Sequence, residues 1–396
     1  MDRKKFHSET LLAHSGRIHD QVGGTVNTPV YRGSTLLFPT VDDLKSVYGT
    51  LNTYGRHGNP TTRSLEKALC ELEGAFGAML TPSGLTAVTT SLMATLKPGD
   101  HLLMTDSVYD PTRAFCDETL ARFGVETTYY DPGLGADISH LIRDNTRVVF
   151  VESPGSLTFD IQDIPAIAKV AHAHDALVIL DNTWGTPVNF ASFQHGVDIS
   201  VHAATKYIVG HSDVLMGVIM TTEALYGQVR GYYKQIGLTV SADDAYLALR
   251  GLRTLSTRLE RHQRNAMIIA DWLHGQPEVA QILYPALPDA PGHDLWKRDF
   301  TGACGLFGVR LHETSETAVH AMLDGMELFG MGFSWGGFES LILLTNPAPH
   351  RTATRWESNG PLLRLHIGLE NPEDLIADLN SGFERLRKVI NIRTSK

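Results

Sequence analysis

Arg147-Val148-Val149-Phe150-Val151-Glu152, a helical run over residues 164–174, and Ala176-Leu177-Val178-Ile179-Leu180-Asp181 decide the fold. Two short, unbroken apolar runs flank an amphipathic segment. Unbroken runs of this length suit strands buried on both faces, as parallel strands are. The same rhythm extends to both sides. Strands are expected over 78–81, 101–105, 126–130, 198–202 and 214–220, with helices over 62–73, 85–96 and 112–123. Gly74 stands where the first of these helices should stop. Strands alternating with helices predict an α/β protein with a mainly parallel sheet covered on both faces. Ligands of such a sheet bind beyond the carboxyl ends of its strands.

Residues 1–60 are rich in Gly, Thr, Pro and Asn and show little periodicity, so they read as an extended arm. Beyond residue 242 a long helical stretch runs to 273. Strands over 305–310 and 362–367 then mix with helices over 318–328 and 372–389, as in a smaller α+β unit. The expected division is an arm over 1–60, a large domain over 61–252 and a C-terminal domain over 253–396. A chain of 396 residues is too long for one small core.

Composition narrows the function. There are 34 basic and 44 acidic residues, a formal net charge of −10. That disfavours nucleic-acid binding, which needs a basic face. No apolar run approaches the ~20 residues that span a bilayer. Met1-Asp2-Arg3-Lys4-Lys5 is not followed by the apolar core of a secretory signal. Cys70, Cys116 and Cys304 are far apart, so neither a disulfide framework nor a cysteine zinc site is expected. The 18 histidines are scattered, with no His-Glu-x-x-His, and no metal is expected. The cytoplasm is the expected location.

The common α/β signatures are missing. Gly133-Leu134-Gly135 lacks the third glycine of a dinucleotide fingerprint, and there is no phosphate-loop sequence. Gly332-Phe333-Ser334-Trp335-Gly336 has the letters of a hydrolase nucleophile elbow. Its context, a helix before and a strand after, is the reverse of what that turn needs.

Lys206 stands out instead, in Ala203-Ala204-Thr205-Lys206-Tyr207-Ile208-Val209-Gly210-His211-Ser212-Asp213. Small residues precede it, and it follows the strand-ending Asp181 by 25 positions. A pyridoxal phosphate (PLP) site uses such a pair: a Schiff-base lysine, and an aspartate that keeps the pyridine nitrogen protonated. Each residue also has a plainer reading: a loop lysine for Lys206, a helix cap for Asp181. Ser83-Gly84-Leu85, between strand and helix, offers amides to a phosphate, or is simply a tight connection. Tyr109 follows a strand and can stack on a flat ring, or is a half-buried loop tyrosine.

Taken in order, these residues carry a family resemblance. Tyr54-Gly55-Arg56-x-x-Asn59-Pro60, Ser83-Gly84, Tyr109, Asp181-Asn182-Thr183, Ala204-Thr205-Lys206-Tyr207 with Gly210-His211-Ser212-Asp213, and Arg364-Leu365-His366-Ile367-Gly368 span nearly the whole chain. Together they resemble the PLP-dependent enzymes of cysteine and methionine metabolism, the transsulfuration family. The resemblance implies the fold-type I, PLP-dependent transferase-like architecture, with a seven-stranded, mainly parallel sheet. It implies that Lys206 and Tyr109 are catalytic. It assigns the cofactor to Lys206, Asp181, Tyr109, Gly84, Leu85 and Thr205, with Tyr54 and Arg56 reaching in from a neighbouring subunit of a homotetramer. Arg364 would grip the substrate carboxylate, with Ser334, Trp335 and Tyr54 lining the pocket. Ser334 to Ser340 and Trp296 to Gly302 resemble the β-lyase branch. The γ-synthases and γ-lyases usually carry Leu at the Trp335 position. This implies PLP-dependent β-elimination of L-cystathionine to homocysteine, pyruvate and ammonia in methionine biosynthesis. The alternatives are cysteine or cystine desulfhydration and γ-chemistry on the same scaffold. Two positions depart from the wider family. Ser156 replaces an Asn near the cofactor, and Ala203 replaces a phosphate-binding Ser.

Overall fold

The computed structural model describes residues 5–18, 22–48, 50, 53–357 and 359–394. Of the expected arm, residues 1–4, 19–21, 49 and 51–52 lie outside these. Seven strands form the larger sheet: β1 (Gly77–Thr81), β2 (His101–Thr105), β3 (Glu126–Tyr130), β4 (Thr146–Glu152), β5 (Leu177–Asp181), β6 (Ile199–His202) and β7 (Gly217–Thr221). Their order is β1-β7-β6-β5-β4-β2-β3. All pairs are parallel except those of β7, which runs antiparallel to β1 and β6.

Apolar runs become central strands because both faces are covered. Met79, Met104, Phe150, Ile179, Ile199 and Ile219 point into one core, shared with helices Gly84–Thr95 and Glu223–Gln235. Leu80, Leu103, Val149, Val178 and Val218 point into the other, shared with Pro60–Glu73, Ile164–Ala173 and Ala242–Leu252. Each such side chain contributes roughly 1.5–3 kcal/mol on burial. Local signals set the helix ends. Asn59 caps Pro60–Glu73 with a capping box, and Gly74 ends that helix at φ 83°.

A second, antiparallel sheet contains β8 (Val279–Leu283), β9 (Leu306–Leu311), β10 (Leu341–Thr345) and β11 (Leu362–His366), in the order β10-β11-β9-β8. Helices Glu316–Leu323 and Pro372–Thr394 accompany it. Its apolar side chains join the second core of the large sheet.

Several elements differ from the sequence reading; the helix expected over 318–328, for one, is Glu316–Leu323. The long helix over 242–273 is two helices, Ala242–Leu252 and Leu255–His274. Arg258 and Thr254 take the Gly251 carbonyl with their side chains. Gly251 also lies so close to the Val209 carbonyl that no Cβ would fit. The strand expected over 214–220 starts at Gly217, because Met216 is bonded through its amide and carbonyl to Thr205. Finally, the N-terminal segment has a packed helix, Ser8–His14. It buries Leu11 and Leu12, and Arg253 donates to the carbonyls of Leu12 and Ser15.

Candidate active site

The carboxyl edge of the large sheet gathers the residues that the sequence singled out. Asp181 ends β5, and Lys206 lies on the turn after β6. Tyr109 follows β2 and begins helix Asp110–Ala114. Ser83 and Gly84 follow β1. From the second sheet come Arg364, on β11, and the Ser334–Trp335 segment just before β10.

Lys206 Nζ donates to the Ser334 hydroxyl at 2.7 Å and lies 5.3 Å from the Trp335 ring centre. Burial, then the Arg364 guanidinium, push the amine down to about 8, against the pull of Asp181. An amine lowered that far is partly neutral near physiological pH and can attack an aldehyde. Arg364 donates to the Ser334 carbonyl at 3.0 Å. Among the described residues no carboxylate pairs with Arg364, so its fork remains available to one. Ser334 itself sits at φ 114°, rare for a residue with a side chain.

Asp181 Oδ1 accepts from the amide and hydroxyl of Thr183, at 3.0 and 2.5 Å. Among the described residues no hydrogen bond reaches Oδ2. Burial raises the Asp181 carboxyl despite those bonds, and a cationic N–H placed there would stabilise the ionised form.

Sequence reasoning missed the carboxyl beside it. Glu152 ends β4 in direct register with Asp181. Its Oε2 accepts the Tyr109 amide at 2.8 Å, which fixes where the tyrosine leaves its strand. Burial, then the Asp181 charge, push Glu152 well above the usual carboxylate range. The signal was present, since Glu152 ends an apolar run just as Asp181 does. Burial, then Glu152 and Asp181, raise the Tyr109 phenol.

Ser83 caps helix Gly84–Thr95 through the Thr86 amide at 3.1 Å. The Gly84 and Leu85 amides have no acceptor among the described residues. A Cβ at Gly84 would lie 2.5 Å from that of Ala203, so glycine lets the helix start approach the lysine turn. Ala203 donates its amide to Thr183. Thr205 uses its hydroxyl on the Met216 backbone. The Ser156 carbonyl is held by Arg351 at 2.8 Å.

Tyr54 and Arg56 do not join this group. Tyr54 is exposed, and Arg56 donates to the Lys234 carbonyl at 3.1 Å.

A half-buried lysine with a lowered amine, a buried carboxyl and a helix start with open amides share one sheet edge. A family model described as "Cys/Met metabolism PLP-dependent enzyme" matches residues 9–384. The chain belongs to this family. A cystathionine beta-lyase from Salmonella typhimurium is 43% identical, over 96% of this chain and 98% of its own. An L-alanine/L-glutamate racemase from Wolbachia pipientis is 41% identical, over 98% and 99%. The solved cystathionine gamma synthase from Xanthomonas oryzae superposes with a TM-score of 0.88 at 33% identity, covering 97% of this chain and 99% of that one. Pyridoxal 5′-phosphate is thus the cofactor of a Cys/Met-metabolism enzyme, and the seven-stranded sheet is its fold-type I core. The Gly84 approach, the open Oδ2 of Asp181 and the lowered Lys206 amine all fit that group.

Proposed function

We propose that the protein is a cystathionine β-lyase. It would eliminate homocysteine from L-cystathionine and leave pyruvate and ammonia. The observation that carries this is the shared use of Ser334: its hydroxyl takes Lys206 and its carbonyl takes Arg364. The reacting amine and the carboxylate clamp are therefore set by one residue, beside Trp335. The 43% identity to a β-lyase, against 33% to a γ-synthase structure, supports the β reading.

When bound, the cofactor supplies an electron sink conjugated with the substrate Cα. Lys206 and Asp181 would hold it, with its phosphate at the Gly84 and Leu85 amides and Thr205 nearby. Asp181 would keep a proton on the ring nitrogen, and Tyr109 would offer its ring for stacking. Arg364 fixes the substrate carboxylate with paired donors, and Ser334 and Trp335 line the pocket around it. Lys206 removes the Cα proton, the Cβ–S bond breaks, and the lysine returns the proton to the departing sulfur. The three-carbon remainder leaves as an enamine, which water converts to pyruvate and ammonia.

Tyr54 and Arg56 complete the site of a neighbouring copy in a homotetramer. The exposure of Tyr54 and the turn of Arg56 to the Lys234 carbonyl support this. So do the exposed apolar residues of the arm, Val26, Leu37, Val41 and Tyr48. The arm over 1–60, the cofactor domain over 61–252 and the smaller domain over 253–396 are the working division. Among the described residues no helix is long and apolar enough to cross a membrane. We place the enzyme in the cytoplasm, where its three free cysteines remain reduced.

Product analysis of purified enzyme on L-cystathionine tests the reading. Equimolar pyruvate and homocysteine are expected. Cysteine with 2-oxobutyrate would replace it with γ-elimination. No elimination, with D-alanine formed from L-alanine, would replace it with racemisation.

A further inference from the structure

We propose that His366 is a positioning residue: its Nε2 takes the Gly336 amide and so fixes the Ser334–Trp335 segment against Lys206. This rests on the reading above only for the choice of substrate in one assay.

The Gly336 N–H points at His366 Nε2 across 3.1 Å. The Gly337 carbonyl lies 3.2 Å from the same nitrogen. A backbone amide can only donate, so in the tautomer that takes Gly336, Nε2 is bare and Nδ1 carries the proton. The other tautomer would donate from Nε2 to Gly337. Either bond ties this segment to β11. Nδ1 faces the Tyr207 hydroxyl at 3.5 Å, and that hydroxyl accepts the Gly305 amide at 2.9 Å. The rings of Tyr207 and His262 pack around the imidazole, at 5.9 and 5.2 Å between centres. His366 is 1% exposed, so no solvent would replace it as acceptor.

The segment it holds is tightly constrained. A Cβ on Gly336 would lie 2.8 Å from the Lys206 carbonyl carbon and the Tyr207 nitrogen. Gly336 is therefore pressed onto the peptide of the lysine, at a φ of 84° that glycine tolerates. Arg364 and His366 project from the same face of β11, two residues apart. Arg364 grips the Ser334 carbonyl at one end of the segment, and His366 grips the Gly336 amide at the other. Trp335, between them, packs on Tyr207 at 5.5 Å. The loop closes from Lys206 to Tyr207, His366, Gly336 and Trp335, and back to Lys206. A small shift of this segment would move the Ser334 hydroxyl away from Nζ, and misplacement near 1 Å can cost about 100-fold in rate.

The test uses His366→Phe, which keeps a ring without the acceptor, and His366→Gln, which keeps an acceptor near the Nε2 position. Hydrogen exchange at the Gly336 amide is measured by mass spectrometry on cofactor-free full-length protein. Losing one hydrogen bond should speed exchange roughly 5- to 10-fold in the Phe variant, and Gln should restore it. With cofactor bound, kcat on L-cystathionine should fall about 10- to 100-fold in the Phe variant. KM should change little, because Arg364 keeps its place on β11, and Gln should recover much of kcat. Unchanged exchange in the Phe variant, faster exchange with unchanged kcat, or failure of Gln to restore either would each overturn the assignment. Should the Phe variant not fold, Tyr207→Phe carries the test. Freeing the imidazole tautomer should speed Gly336 exchange, and no change would overturn it. If the wild-type enzyme makes no pyruvate, the β-lyase reading falls, while the exchange result still decides the role of His366.

Discussion

Lys206→Met should make the cofactor-free protein more stable at neutral pH while abolishing its chemistry. Burial and Arg364 lower the amine from 10.5 to about 8. At about 1.4 kcal/mol per tenfold, keeping the ammonium in the native state costs about 3 kcal/mol. Methionine removes that cost. It also loses the bond to Ser334, worth about 1 kcal/mol, and the contact with Trp335, worth roughly 0.5–1 kcal/mol. The net gain near pH 7 is about 1–2 kcal/mol. Its sign depends on pH. Between about 8 and 10.5 the unfolded chain binds more protons than the native one, so wild-type stability rises with pH there. The cost is fully present below the native value and is relieved above it. Chemical denaturation of both cofactor-free proteins at pH 7 and pH 10 should therefore show their difference move by about 2–3 kcal/mol toward the wild type. A difference that does not move with pH would refute the account of a desolvated amine. Added PLP should give the wild type its bound-cofactor absorbance and the variant none.

Other consequences follow from single contacts. Arg364→Lys loses the planar fork while keeping the charge, so steady-state kinetics should show kcat/KM for L-cystathionine falling about 10- to 100-fold, chiefly through KM. Unchanged KM would remove Arg364 from the carboxylate site. Ile179→Ala empties a fully buried position on the central strand β5. Denaturation should show a loss of about 2–5 kcal/mol. Asp106 accepts from Arg113 at 2.6 Å and from the amides of Thr352 and Thr354 at 2.9 and 2.8 Å. Burial alone would raise its carboxyl, but the Thr354 hydroxyl and these amides hold it below the usual range. Asp106→Asn should cost about 3–5 kcal/mol by leaving Arg113 buried without its charge partner, and limited proteolysis should show the 351–354 segment released.

Much of this was legible in the chain, for identifiable reasons. Strands buried on both faces must be apolar along their whole length, so 147–152 and 176–181 declared themselves. A parallel strand delivers its last residue to the ligand edge, so the charged residue closing such a run is a site residue by position. That logic found Asp181 and applied equally to Glu152, whose role was hidden because its partner is a backbone amide 43 residues away. The break at Arg253–Thr254 was hidden for a similar reason. It comes from side chains capturing the Gly251 carbonyl and from a close approach to Val209, neither of which alters helical periodicity. β8 escaped notice because it lies at the edge of its sheet and is only partly buried, and its short apolar run is interrupted by Gln281.

The residues proposed to hold the cofactor and move the proton and those proposed to hold the substrate belong to different sheets. Asp181, Tyr109 and Lys206 occupy the carboxyl edge of the large sheet and would serve any reaction that begins at Cα. Arg364, Ser334, Trp335 and His366 belong to β11 and the segment preceding β10, where they meet the lysine from the opposite side. That separation lets the proton-handling apparatus stay fixed while the facing segment varies. On the proposed roles, Lys206 would speak for the cofactor and be silent on β against γ elimination. The choice must be made where the substrate side chain is held relative to Nζ. In this chain Nζ is bonded to the Ser334 hydroxyl, and the segment carrying Ser334 is held by Arg364 on one side and the Gly336–His366 bond on the other, so our proposal places the choice there.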